Sequence, residues 1–422
     1  MNLILRKVKI IDPRSPYHLQ QTDIFFSEGR IKQIGSNLAP VPGVKEVSEK
    51  GLCISPGWTD FQVTIGEPGR EVRETLDSAS RCAIKGGITT LCMLPSTQPV
   101  LDNRAQIEFI LGRNASLPVN IYPFGALTIG NEGKEMAELL DMAEAGISVF
   151  TDGKRNIENP KLFELILQYA KNRNLLVVHH ADTSKLTQHG MMHEGEVSTR
   201  LGLKGFPAFA EEMAIQRDLY ILEYTGGKLH IPIITTRGSV ELIRKAKDKG
   251  LQITCGTAPQ YLLFTDESLE TFDPLFKVNP PYRCKADVEA LLLGLADGTI
   301  DVICSDHTPI DDEHKNHELE HAEFGITNLE TFFAAARTAT HASMDITTLI
   351  EKISLNPARL AGIPIPVIRE NESANCTLFY PDASWTFDAT TSASLSKNTP
   401  FHHYTFIGKS YGIITYQQFY LS

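Results

Sequence analysis

Cysteine is sparse and scattered in this chain. There are seven, an odd number, and none forms a C-x-x-C pair. That excludes a disulfide frame and a zinc cage of the finger type, and it points to reduced, mostly buried thiols. Positive charge is also short: 40 basic residues stand against 51 acidic ones, a net charge of −11 with no basic block. Phosphate attraction would carry the wrong sign, so no nucleic-acid or anionic-membrane partner is expected. No run of ~18 uninterrupted apolar residues exists, so no membrane span is expected. The opening MNLILRKVKI meets charge within six residues and lacks an apolar core of signal-peptide length, which predicts a cytoplasmic location. Short-period repeats and low-complexity segments are absent as well.

What remains is ordinary globular composition, 42% hydrophobic and 22% charged, enough for a sizeable core. Residues 2–10 and 23–34 alternate apolar and polar positions and read as short strands. The same texture returns at Cys376-Thr-Leu-Phe-Tyr380, Tyr404-Thr-Phe-Ile407 and Tyr411-Gly-Ile-Ile-Thr-Tyr416. Each half alone is too short to bury a face, so both termini are expected to build one small β-sandwich from residues 1–52 and 365–422. Between them, over 53–364, apolar β-rich runs alternate with helical stretches. The runs fall at Ile54–Ile65, Thr89–Leu94, Val119–Phe124, Gly146–Phe150, Leu175–His179, Leu229–Ile234, Gln252–Cys255 and Ile300–Cys304. Eight apolar strands, each followed by a helix, predict an α/β fold of the (β/α)8 TIM-barrel kind.

Chemistry in such a barrel sits at the C-terminal strand ends. The first strand ends in Gln62 and Thr64, two apart and therefore on one face. That spacing would suit two metal-binding imidazoles, but neither residue is a histidine. Asp152, His179 and Asp306 come from three other strand ends. Together they could hold a divalent metal, or each could be a satisfied polar group at the rim. His180 and His307 are expected to face the helices, and His230 to be packed and hydrogen-bonded. His314, His317 and His321 lie in a charged stretch that reads as a mobile, solvated loop. Asp60 follows the Pro56-Gly57 turn and reads as structural.

Longer motifs then carry a resemblance. They are Glu194-Gly-Glu-Val-Ser-Thr-Arg-Leu-Gly-Leu203, Lys277-Val-Asn-Pro-Pro-Tyr-Arg283, Gly294-Leu-Ala-Asp-Gly-Thr-Ile-Asp-Val-Ile303, Phe324-Gly-Ile-Thr-Asn-Leu-Glu-Thr331, Asn356-Pro-Ala-Arg-Leu360 and Asn398-Thr-Pro-Phe401. From Leu52 to Tyr416 the chain resembles the class I dihydroorotases of the amidohydrolase superfamily. The resemblance implies a metal-dependent hydrolase barrel with a β-sandwich built from both termini. It also implies interconversion of N-carbamoyl-aspartate and dihydroorotate in pyrimidine synthesis, on one or two zinc ions that hold a hydroxide. An aspartate after the last strand shuttles the proton in that family.

Carried over position by position, the family's His-x-His falls on Gln62 and Thr64. Its bridging aspartate falls on Asp152, its next histidine on His179, a further metal histidine on Ile233 and the final aspartate on Asp306. The substrate-carboxylate grip falls on Gly66, Ser96 and Ile310, with only Asn279 retained. Ile233 has no lone pair to donate, and threonine and amide oxygens are weak zinc ligands beside imidazole. Even changes behind the ligands cost about 10- to 100-fold in metal affinity or activity. The resemblance therefore implies a catalytically silent homologue, a pseudoenzyme with a degenerate zinc site. No cofactor is expected, or at most one weakly bound zinc on Asp152, His179 and Asp306. A structural role is expected, such as stabilising aspartate transcarbamoylase, in a homo-oligomer or mixed assembly. The alternative is an active cyclic-amide or ureide hydrolase with a reduced, mononuclear site that recruits His180, Asp182 or His230.

Overall fold

A computed structural model describes residues 2–415 and 418–422, so Tyr416, the end of one expected strand, lies outside the described residues. The two termini share one eight-stranded sheet. Its seam is Cys53–Pro56, which runs parallel to Asn2–Ile10 and antiparallel to Asn375–Thr386. Gln21–Ser27, Arg30–Gly35 and Lys45–Val47 extend the N-terminal side, and Thr405–Thr415 and Gln418–Leu421 the C-terminal side. Leu3, Leu5, Ile24, Phe26, Ile54, Leu378 and Ile414 fuse into one core, so neither terminus is left with an uncovered apolar face. The pairing joins both termini through one continuous strand order.

The eight expected runs of the middle segment all form strands: β1 (Trp58–Val63), β2 (Ile88–Met93), β3 (Asn120–Pro123), β4 (Val149–Phe150), β5 (Leu176–Val178), β6 (Lys228–Ile231), β7 (Ile253–Thr257) and β8 (Val302–Ile303). Every neighbouring pair within the β1-β2-β3 sheet and the β4-β5-β6-β7-β8 sheet is parallel. Single parallel bridges, Gly125 to Phe150 and Val63 to His307, tie the two sheets at both seams. This order is consistent with a TIM-type barrel.

Local chemistry sets the crossovers. Helix Leu76–Gly86 starts at Thr75, whose hydroxyl accepts from the Ser78 N–H at 3.0 Å. It stops at Gly87, whose φ of 81° is left-handed and suits a residue without a Cβ. Trp58, fully buried at the start of β1, packs on Phe333 and Phe379 with ring centroids 4.5 and 5.4 Å away. Phe379 belongs to the terminal sheet, so this aromatic trio clamps the sheet to the barrel and buries a large apolar area at the junction. No helix of the described residues is long and apolar enough to cross a membrane.

Candidate functional site

The strand ends bring Gln62, Asp152, His179, Ile233 and Asp306 into the interior, each nearly inaccessible to water. Asp306, just past β8, is the centre of the cluster. Its carboxylate accepts from the Gln62 side-chain amide at 2.8 Å and, more weakly, from the Tyr261 hydroxyl at 3.3 Å. It is also ion-paired with Lys154, whose ammonium lies 2.8 Å from one oxygen and 3.0 Å from the other. That ammonium donates as well to the Asn279 carbonyl at 3.2 Å. A buried carboxylate requires a cation or several donors, and here a lysine supplies the charge.

The other two expected ligands are engaged elsewhere. Asp152 accepts backbone N–H groups of Leu127 and Thr128, both at 2.9 Å, and the Thr128 hydroxyl. Burial nevertheless pushes its carboxyl above the usual range. The Nδ1 atom of His179 lies 2.6 Å from Asp218, a carboxylate also held by Arg217. This is the orientation a metal-binding imidazole takes, with its far nitrogen free. That nitrogen, Nε2, instead accepts the Ile157 N–H at 3.0 Å. Among the described residues, the one set of three His, Cys, Asp or Glu side chains with donor atoms within 4.8 Å of one another is His193, Cys284 and Asp287. Asp152, His179 and Asp306 do not make such a set.

The remaining family positions offer little. Ile233 is buried among apolar neighbours. Thr64 is tied by its backbone N–H to the His307 carbonyl at 2.9 Å. A Cβ at Gly66 would stand 2.1 Å from the Arg70 carbonyl oxygen and 2.9 Å from that of Glu74. The turn closed by the Arg70 N–H to Gly66 carbonyl bond, 2.7 Å long, fills the volume an arginine would need. Ser96 sits so close to Gly153 that a Cβ on that glycine would come 2.5 Å from its hydroxyl. Ile310 is buried, its N–H held by the Asn398 side chain at 3.0 Å. Asn279 is half-buried and faces the cluster through its carbonyl. Of the six family metal positions, three carry poor zinc donors, two place lone pairs on backbone N–H groups, and the last faces an ammonium.

His230 is packed and hydrogen-bonded, as the sequence suggested. It bonds Thr254 through Nδ1 at 2.8 Å and packs edge-on against Phe61. Burial drives its pKa down to about 3. His180 is buried and also held neutral by burial, with a pKa of about 3. The far nitrogens of both rings have no hydrogen-bond partner. His307 accepts the Asn328 N–H at 3.1 Å and faces the buried Glu74 at 3.4 Å. Asp60 accepts the Ser305 N–H at 2.9 Å, a link between β1 and the chain after β8, and burial raises its pKa to about 6.

His314, His317 and His321 are exposed, as expected of a solvated loop. The loop itself is pinned, because the buried Lys315 ammonium donates to the carbonyls of Lys277, Glu323 and Gly325 at 2.8–3.0 Å. Arg73 adds ion pairs to Asp311 and Glu323. Sequence reasoning missed Lys154, Lys315 and Asp218. A lysine shortly after a strand end reads as a surface charge, and only the left-handed turn at Gly153, with φ of 66°, hints that the chain doubles back there.

Known proteins bear on this geometry. A family model described as "Dihydro-orotase-like" matches residues 51–239. The dihydroorotase of Pelotomaculum thermopropionicum is 40% identical over 403 residues, spanning 95% of this chain and 94% of that one. The dihydroorotase of Geobacter metallireducens is 36% identical, spanning 95% of each. Among solved structures, the L-hydantoinase (dihydropyrimidinase) of Arthrobacter aurescens superposes with a TM-score of 0.85 at 22% identity, covering 99% of this chain and 95% of that one. The dihydropyrimidinase of Brevibacillus agri gives 0.85 at 18% identity, covering 100% and 95%. These two structural likenesses establish that the chain shares the fold of those two structures. With 40% identity to a curated relative across nearly its full length, the chain belongs to the dihydroorotase family.

Proposed function

We propose that this chain is a dihydroorotase-family protein of pyrimidine synthesis that does not hydrolyse the cyclic amide and acts as a structural subunit. The observation that carries the reading is the Lys154 ammonium seated on Asp306, with glutamine, threonine and isoleucine at positions 62, 64 and 233. A positive side chain already neutralises the carboxylate that would have to handle the proton. Gly66 and Ile310 remove the positive grip on an acidic substrate, a loss of charge-assisted contacts. Aspartate transcarbamoylase is the partner we expect, by resemblance to inactive family members that assemble with it. An exposed apolar stripe supports an assembled state. Phe209, Met213, Tyr220 and Tyr224 lie within about one-sixth of a turn on the outer face of helix Ala208–Thr225. The test is a dihydroorotate hydrolysis assay in added zinc, run beside a pull-down against the transcarbamoylase of the same cell. We expect no turnover above background and co-elution; enzymatic turnover sinks the silent reading, and a clean monomer sinks the structural one.

One observation favours a second reading. The partnerless ring nitrogens of His180 and His230 are buried near the strand ends and could be recruited to a single metal beside His179. A mononuclear hydrolase of a less acidic cyclic amide would follow. Turnover of a neutral hydantoin or dihydropyrimidine, abolished in His180→Asn, would select this reading over the first.

A further inference from the structure

A separate group of donors lies away from the strand-end cluster. His193 ends the short strand Met192–His193, which pairs in parallel with Gly205–Phe206 in the long β5–β6 connection. Cys284 is the residue that starts helix Lys285–Ala296, and Asp287 lies in the first turn of that helix. One donor atom from each of the three falls within 4.8 Å of the others. The Cys284 sulfur is already 3.2 Å from an Asp287 oxygen. Ligands on a tetrahedral zinc, at bond lengths of ~2.0–2.3 Å, stand about 3.5 Å apart. The set thus needs side-chain adjustment on the order of 1 Å, not a new backbone.

A second carboxylate, Asp266, flanks the same space. The point where a Cβ would stand on Gly195 is 3.5 Å from His193 Nε2 and 4.0 Å from an Asp266 oxygen. Asp266 is itself buried. The glycine leaves open the gap between imidazole and carboxylate. On the opposite ring edge, Arg283 lies 3.3 Å from His193 Nδ1 and donates to the Phe206 carbonyl at 2.9 Å. The guanidinium charge is therefore on the Nδ1 side, and Nε2 is the nitrogen turned toward the carboxylate.

We infer that His193, Cys284 and Asp287, with Asp266 beside them, form a structural site for zinc or a similar borderline-soft divalent metal, independent of the strand-end cluster. One imidazole, one thiolate and carboxylate oxygens match zinc better than calcium or magnesium, which select oxygen alone. Binding forms a metal–sulfur bond, breaks the Cys284 S–H bond and releases that proton to solvent. The ion would tie the β5–β6 connection to the helix between β7 and β8.

The full-length protein tests this after chelator treatment and reloading with zinc, then separately with cobalt(II). Element analysis should find about one zinc per chain, and the cobalt form should show a thiolate-to-metal charge-transfer band. Cys284→Ser and His193→Gln should each weaken binding by at least about tenfold. His179→Asn and Asp306→Asn should leave zinc content and band unchanged. Far-UV circular dichroism checks that each variant is folded. Zinc should raise the Tm of the parent chain and of His179→Asn, but not that of Cys284→Ser. No zinc in the parent, or zinc retained in Cys284→Ser and lost in His179→Asn, overturns the inference. The latter result would assign the metal to the strand ends.

Discussion

The strand ends and the His193–Cys284–Asp287 group contain the same kinds of side chain but differ in where their lone pairs point. At the strand ends, His179 Nε2 and both Asp152 oxygens face protein donors, and Asp306 faces an ammonium. In the loop group the donors face one another. Residue type alone would have ranked the strand ends first. What distinguishes the two is spacing: one donor atom from each loop residue lies within 4.8 Å of the others, although Asp287 also accepts the Arg237 N–H at 2.8 Å, and that spacing follows from backbone placement and not from composition.

Breaking the Lys154–Asp306 pair should have the largest effect. Lys154→Met leaves a buried carboxylate without its cation, a loss of about 3–5 kcal/mol in urea unfolding. Adding Asp306→Asn should recover much of it, because the charge and its partner then leave together. If Lys154→Met proves neutral, the ammonium does not neutralise Asp306 and the contrast between the two regions fails.

A pH titration sharpens the same contrast. His230 sits in an apolar niche with Lys247 as its distant charged neighbour, and burial holds its folded pKa near 3. The unfolded chain takes up that proton near pH 6.5. This contribution is therefore complete above pH 6.5 and fades as pH falls toward 3. Between pH 7 and pH 4 it amounts to about 3 kcal/mol. His230→Gln should flatten that part of the stability-versus-pH curve; an unchanged slope means the ring is solvated.

All eight strands of the middle segment were legible because each is a short apolar run bounded by turns, a pattern set locally by side chains. The union of the termini was legible too, since neither half could bury its own face. The strand that joins them was not, because Cys53–Pro56 reads as the start of the first run of the middle segment but pairs with both halves of the terminal sheet. At the site, the non-histidine side chains of Gln62, Thr64 and Ile233 could be read off. The partners of Asp306 and His179 could not. Lys154 reaches Asp306 across 152 positions, and Asp218 reaches His179 from a helix 39 positions on. Long-range partners of this kind leave no periodic trace.

Gly66 offers a steric test at an intermediate scale. Rebuilding the family's grip by Gly66→Arg places a Cβ against the Arg70 carbonyl, so the 66–74 turn must open. We expect a loss of about 2 kcal/mol and no gain in affinity for N-carbamoyl-aspartate by calorimetry. A stable variant that binds the dianion would show that the turn yields and that only the side chain was lost.

The smallest effect separates the two regions most cleanly. Cys284 is half-buried and caps its helix without a side-chain bond to the backbone, so in chelator Cys284→Ser should change stability by no more than about 0.5 kcal/mol. In zinc, the parent should gain stability as RT ln(1 + [Zn]/Kd), about 2.7 kcal/mol at a hundredfold excess over Kd, and the variant should not. The comparison therefore rests on a difference of differences: parent against Cys284→Ser, with and without zinc, repeated in the His179→Asn background. If the zinc-dependent gain is identical in both backgrounds, the two clusters are thermodynamically independent. A gain that shrinks when His179 is removed couples them, and the loops above the barrel then share one ion with the strands beneath.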